Sequence, residues 1–339
     1  MKLVTYKNQD DIGRLGLLIG QRIHDAALNN AALPDNMLAF LNAGEKGMDL
    51  MRETERMIME GRGISEGYAY NDDILLAPVP NPTSCRDGYA FRQHVEAARR
   101  NRGVAMIPEF DEYPIMYFTN HNAIQGPGEI WCMPDHFNKL DFELEVAVVL
   151  GKTGRNIKAE KADEYIAGYM IMNDMSARTL QMEEMLLNLG PAKGKDFSTV
   201  IGPYMVTPDE LVNFKQTAKP NHVGNNFALD MKCWVNGQLV SSGSTGDMDW
   251  TFAEIIERCA YGVDVYAGDV IGSGTVGTGC FLELNGTGLL NDKNYPVQWL
   301  KPNDVVEMEI TGLGKLTNTI KAVETDFSIL ALKKKTASL

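Results

Sequence analysis

Residues 141–150 read DFELEVAVVL and are followed by Gly151. In so short a run, the β-branched Val146, Val148 and Val149 and the closing glycine predict a strand. Side chains alternate across a strand, so Asp141, Glu143 and Glu145 point one way while Phe142, Leu144 and Val146 point the other. Two glutamates therefore share a face at the edge of a segment that turns wholly apolar. Carboxylates crowded out of bulk water repel one another unless a proton or a cation neutralises them. The alternative is a half-exposed strand with a solvated acidic face.

Other stretches carry reactive groups. Asp174 ends GYMIMND (168–174), and Arg178 and Gln181 follow it at intervals of four and three, a helical spacing that lets all three face one direction. Surface salt bridging is the competing explanation. His94 sits in SCRDGYAFRQHVEAARRNRG (84–103), which predicts a helix from about Ala90. Its arginines, Arg99, Arg100 and Arg102, fall near the helix end, where cations suit the macrodipole. A lone helical histidine is more often structural, and a basic helix end is more often simply solvated. GPAKGKDF (190–197) is a Gly- and Lys-rich loop without the GxxxxGK[ST] order of a phosphate loop. In GSGTVGTGCFLEL (272–284), four glycines precede an expected strand bearing Glu283. Such density lets the backbone approach a ligand or metal, or else marks a plain hairpin.

The elements that must position these groups are read as follows. Residues 2–6, 15–19 and 21–26 predict short strands, with Gly20 turning the second into the third. Helices are expected at 34–42, 45–61 and about 159–168, and Ser176 is placed as N-cap of the helix that follows Asp174. Strands are expected at 74–82, despite three prolines, and at 168–174, 229–240 and 263–271. A boundary near residue 72 divides a small N-terminal domain (1–72) from a catalytic domain (73–339). The tail KKKTASL is expected to fray.

Composition narrows the class. An apolar fraction of 44% and a charged fraction of 23% are those of a soluble globular protein. A net charge of −13 argues against nucleic acid or an anionic membrane as partner. No apolar run approaches the ~20 residues needed to span a bilayer, and the start lacks a signal-peptide core, so a cytoplasmic location is expected. Five cysteines without a CxxC pair predict buried free thiols rather than disulfides or a zinc site.

Taken together, DGYAFRQH (87–94), LDFELEVAVVLG (140–151), IMNDMSARTLQ (171–181), GKDF (194–197), IGP (201–203), AGDVIGSGT (267–275) and FLEL (281–284) resemble the fumarylacetoacetate hydrolase (FAH) family. The resemblance covers roughly residues 74–325, with a looser similarity over 14–26. It implies an α+β, β-rich fold: a mixed β-roll catalytic domain with peripheral helices and a small N-terminal β-containing domain, commonly as a homodimer. It implies one divalent cation (Mg²⁺, Mn²⁺ or Ca²⁺) held by Asp87, Glu143, Glu145 and Asp174, and no organic cofactor. An all-oxygen set suits a hard cation, whereas zinc would use Cys or His, absent from the matching positions. His94 and Glu283 match the catalytic dyad, and Lys195, Arg178 and Gln181 match residues facing developing negative charge. Tyr89, Tyr117 and Thr275 match substrate contacts. Met185 stands where the animal hydrolase has a tyrosine; Arg102, at the basic helix end, is a candidate replacement clamp for a substrate carboxylate.

The activity implied is metal-dependent hydrolysis of the carbon–carbon bond of a 1,3-diketo acid, with fumarylacetoacetate, cleaved to fumarate and acetoacetate in aromatic amino-acid breakdown, as the leading case. Acylpyruvate hydrolase, 2-oxo acid decarboxylase, hydratase and oxaloacetate tautomerase are alternatives on the same fold. A non-catalytic metal-binding member is the alternative of a different class.

Overall fold

The computed structural model describes residues 1–334; the expected fraying of the tail falls, from residue 335 onward, outside the described residues. The chain begins with strands β1 (Lys2–Lys7), β2 (Gly13–Ile19) and β3 (Arg22–Asp25), followed by helices α1 (Met37–Asn42) and α2 (Gly44–Met59). It continues through β4 (Cys85–Gly88), α3 (Arg92–Arg100), β5 (Met116–Thr119), β6 (Gly128–Cys132), β7 (Leu144–Leu150), β8 (Ile166–Asp174), α4 (Arg178–Met185) and β9 (Thr199–Val206). The remainder comprises β10 (Asp230–Val235), β11 (Gln238–Ser244), α5 (Phe252–Ala260), β12 (Val270–Gly272), α6 (Phe281–Asn291), β13 (Val305–Ile310) and β14 (Gly314–Ala322).

An eleven-stranded mixed sheet runs β3-β2-β1-β9-β8-β7-β12-β4-β5 through its middle, and a five-stranded sheet runs β11-β10-β13-β14-β6. β7 and β8 lie at the centre of the large sheet and are buried along their whole length. Continuous apolar runs of this kind belong to strands covered on both faces. Val146 and Val148 join the core that includes Met231, Ile310 and Leu316 of the second sheet, whereas Ala147 and Val149 join the core that includes Phe40 and Leu41 of α1. The N-terminal strands belong to the same large sheet, because β1 pairs with β9.

Several elements differ from the sequence reading. The acidic strand starts only at Leu144; the Glu143 amide donates to the Asn173 side chain (3.0 Å), which interrupts the backbone ladder before it. Residues 74–82 form no regular strand, consistent with three prolines lacking amide donors, and only Leu75 bridges to Tyr6. The 229–240 stretch is a hairpin, since Asn236 and Gly237 both take positive φ (52° and 76°), the turn that an Asn-Gly pair favours. Gly268, at φ 99°, likewise divides the 263–271 stretch. The helix expected at 159–168 ends at Ala162, followed by a 3₁₀ turn over Asp163–Tyr165. Ser176 is not an N-cap: its hydroxyl donates back to the Asp174 carbonyl (3.0 Å) within a short strand, and α4 starts two residues later. The largest revision concerns FLEL, which opens helix α6 instead of forming a strand. The Phe281 and Leu282 amides donate to the Asp141 carboxylate at 2.8 and 2.9 Å, so a negative charge sits at the helix N-terminus.

Candidate active site

Strand register delivers four carboxylates to one edge of the large sheet. Leu144 pairs with Asn173, which brings the residues flanking that pair, Glu143 and Asp174, together. Gly272 pairs with Ala147 on one side and with Asp87 on the other, carrying Asp87 to the same end. One carboxylate oxygen from each of Asp87, Glu143, Glu145 and Asp174 lies within 4.8 Å of the other three, and all four residues are buried. The glycine-dense loop permits this approach. Gly274 adopts φ 79°, a Cβ there would lie 2.6 Å from the Gly88 carbonyl, and its amide donates to Asp87 Oδ1 (3.0 Å).

Burial raises Asp87 to about 7, with the charge of Asp174 adding to the effect. Burial also raises Glu145 well above the carboxylate range, with Asp87 adding to it, and raises Asp174 despite the attraction of Lys195. Glu143 goes the other way: burial is overcome by Lys195 and Arg178, and its carboxyl falls well below the usual range. Two oxygens of the cluster, Glu145 Oε2 and Asp174 Oδ1, are buried with no hydrogen-bond partner. Unpartnered buried carboxylate oxygens are costly, and a cation shared by the four groups removes that cost. The residues present fit a hard divalent ion.

Two buried cations flank the cluster. The Lys195 ammonium donates to Glu143 and to Asp174, the latter at 2.7 Å. Arg178 donates through Nε to Asp141 (2.8 Å), through Nη2 to Glu143 (2.8 Å) and through Nη1 to Gln181 Oε1 (3.0 Å). The last bond leaves the Gln181 amide nitrogen as its free donor. Gly194 lets the Lys195 loop lie against α4, since a Cβ there would sit 2.6 Å from the Gln181 backbone nitrogen. Opposite them, His94 Nδ1 meets Glu283 Oε2 at 2.6 Å, and Glu283 Oε1 accepts the Thr278 amide (2.9 Å). With Nδ1 tied to a carboxylate, Nε2 is the nitrogen left to exchange a proton.

Of these groups, Asp87, Glu143, Lys195, Arg178, Gln181, His94 and Glu283 border one cavity of about 740 Å³. Tyr89 lines it with its ring edge-on to His94 (centroids 6.0 Å apart), and Thr275 lines it while donating to Glu145 Oε1 (3.3 Å). Tyr117 also borders it, but its hydroxyl is engaged by Asp174, so it holds a cluster carboxylate. Of the basic helix end, Arg102 reaches the cavity wall, whereas Arg100 turns to Thr287 (3.1 Å) and Arg99 to the Ala105 carbonyl. Asp141 shares the alternation of the two glutamates, yet it holds Arg178 and the start of α6 instead. Lys139 and Trp299, stacked at 5.9 Å on the cavity wall, carry no local pattern that would have singled them out.

The family model for the fumarylacetoacetate (FAA) hydrolase C-terminal region matches residues 83–321. The chain belongs to the fumarylacetoacetate hydrolase family. Oxaloacetate tautomerase FAHD2A, mitochondrial, of Homo sapiens is 31% identical over 94% of this chain and 91% of its own length. A fumarylacetoacetate hydrolase domain-containing protein 2 homolog of Dictyostelium discoideum is 29% identical over 95% of this chain and 97% of its own. Among solved structures, fumarylacetoacetate hydrolase from psychrophilic Exiguobacterium antarcticum superimposes with a TM-score of 0.67 at 25% identity, covering 95% of this chain and 100% of that one. The FAH fold and an enzyme family built around small-molecule substrates are thereby established. Among the described residues, no helix is long and apolar enough to cross a membrane.

Proposed function

We propose that this protein is a divalent-metal-dependent hydrolase that cleaves the carbon–carbon bond of a 1,3-diketo acid, with fumarylacetoacetate as the first substrate to test. The observation that carries the reading is the buried His94–Glu283 pair at 2.6 Å, facing the same cavity as Asp87 and Glu143 of the carboxylate cluster, Lys195 and Arg178. Asp87, Glu143, Glu145 and Asp174 would hold the cation, with Mg²⁺, Mn²⁺ and Ca²⁺ the candidates. Bound there, it supplies Lewis acidity toward an enolised diketone.

The chain's own residues do the rest. Glu283 keeps the proton on His94 Nδ1, so Nε2 accepts one from water, and the carboxylate stabilises the imidazolium that results. The hydroxide attacks one carbonyl carbon, and collapse of the tetrahedral intermediate breaks the bond to the neighbouring carbon. Lys195, Arg178 and the Gln181 amide face the negative charge left on the departing enolate. The imidazolium then returns its proton to the departing carbon, leaving two products and a neutral histidine. The family's homodimeric state belongs to the same proposal and is tested by light scattering.

A second reading, keto–enol tautomerisation of oxaloacetate, is favoured by the 31% identity with FAHD2A over nearly the whole chain. Tautomerisation moves a proton between carbon and oxygen, a transfer that a carboxylate-backed imidazole also serves, so turnover of the substrates and not the dyad alone separates the two readings. The test is to follow fumarylacetoacetate, acetylpyruvate and oxaloacetate with Mg²⁺ or EDTA. Loss of fumarylacetoacetate should be EDTA-sensitive and fall about 10²–10⁴-fold in His94→Ala. Turnover of oxaloacetate alone would replace the hydrolase reading with the tautomerase one.

A further inference from the structure

We propose a second metal site in this chain, for a thiophilic divalent ion such as Zn²⁺, formed by Cys280, His94 and Glu143 beside the four-carboxylate cluster; its occupation inhibits turnover. A ring nitrogen of His94, a carboxylate oxygen of Glu143 and Cys280 Sγ lie within 4.8 Å of one another, and all three residues are buried. Ligand atoms around one zinc lie up to about 4 Å apart, so closing the set takes side-chain adjustment of roughly an ångström.

Three features point to the ion. Glu143 belongs to both ligand sets, but the sulfur and imidazole beside it select Zn²⁺ or Co²⁺, whereas the all-oxygen cluster selects a hard cation. His94 already has the environment of a zinc ligand: its Nδ1 faces the Glu283 carboxylate at 2.6 Å, which orients the ring and leaves Nε2 to bind. The surroundings are also rich in acid. Among the described residues, Asp87, Asp141, Glu143, Glu145, Asp174 and Glu283 are buried, and the buried cations paired with them are Lys195 and Arg178, so a single divalent ion leaves carboxyl groups in excess. Cys280 belongs to the GTGCFLEL stretch, distant in sequence from the carboxylates, and nothing in its local sequence marks it as a zinc ligand.

Ligation would release the thiol proton to water and occupy His94. The inhibitory half of the proposal rests on the hydrolase reading above, but the ligation half does not. The experiment adds Co²⁺, then Zn²⁺, to Mg²⁺-saturated protein. A thiolate-to-cobalt charge-transfer band in the near ultraviolet should saturate at one equivalent, vanish on Zn²⁺ addition and be absent in Cys280→Ser. Glu283→Gln should weaken Co²⁺ binding about 10–100-fold. Mn²⁺ binding without Mg²⁺ serves as the folding control and should persist in Cys280→Ser. No band in the wild type, a band that survives in Cys280→Ser, or competitive removal of Co²⁺ by Mg²⁺ would overturn the second site. With the band formed, zinc should stop turnover in the wild type, and Cys280→Ser should need at least about tenfold more zinc. Undiminished turnover with the band present would overturn the inhibition and leave the ligation standing.

Discussion

Replacing Asp87 by Asn removes one of four crowded carboxylates, and the site dictates both the sign and the size of the effect. Burial, with Asp174 beside it, raises Asp87 from 3.8 to about 7. A carboxyl with a raised folded value holds its proton more tightly when folded. Its contribution to the metal-free fold is therefore complete below about pH 4 and disappears as pH rises through about 7. A rise from 3.8 to about 7 corresponds to about 4 kcal/mol. With an unfolding entropy of about 2 cal/mol/K per residue, 339 residues give roughly 0.7 kcal/mol/K, so the shift in Tm is about 6 °C. In EDTA, the wild type should therefore lose about 6 °C relative to Asp87→Asn between about pH 4 and pH 8. Mg²⁺ should reverse the ranking, because it replaces the proton in the wild type, whereas the side-chain amide introduced by Asp87→Asn offers it only a neutral oxygen. Saturation at about 1,000 times Kd is worth about 4.1 kcal/mol, which offsets the charge cost, so the reversal is expected above that concentration. Scanning calorimetry across that pH range, with EDTA and with Mg²⁺, reads both effects. Parallel pH profiles in EDTA would refute the charge-crowding argument.

Lys195→Met leaves Glu143 and Asp174 without their shared ammonium and should cost about 3–5 kcal/mol in denaturant unfolding; an unchanged midpoint would show that the pair is not energetically coupled. Asp141→Asn weakens the charge at the start of α6 and the hold on Arg178, and should cost about 1–2 kcal/mol. By loosening the helix that carries Glu283, it should also lower kcat more than it raises KM, which steady-state kinetics would show. Arg102→Gln should raise KM for diketo acids with a distal carboxylate and leave KM for acetylpyruvate in place; KM values unchanged from the wild type for both substrates would remove Arg102 from the substrate site.

Local chemistry made much of the site visible. Alternation brought Glu143 and Glu145 together, and they do share the cluster, although Glu143 lies outside the strand that suggested it. The apolar runs of β7 and β8 marked both as strands, and their burial along the whole length follows from a sheet covered on both faces. Short apolar stretches were less legible. FLEL fits a strand or a helix equally, and only Asp141, some 140 residues earlier, decides for the helix through its bonds to two amides. Ser176 had the right type for a cap, yet β-pairing with Asp141 holds its backbone extended. Tyr117 gave no local sign that its hydroxyl would meet Asp174; that contact depends on β5 lying alongside β4. Cys280 similarly comes close to His94 only through the fold.

The central claim is that His94 activates water to break a carbon–carbon bond, and cleavage of fumarylacetoacetate in heavy-oxygen water tests it most directly. With Mg²⁺ present, mass spectrometry should find one solvent oxygen in the newly formed carboxylate of one product, and His94→Ala should form that product far more slowly. Solvent hydrogen entering the substrate while its carbon skeleton stays intact would contradict the claim and identify the site as one for enolisation alone.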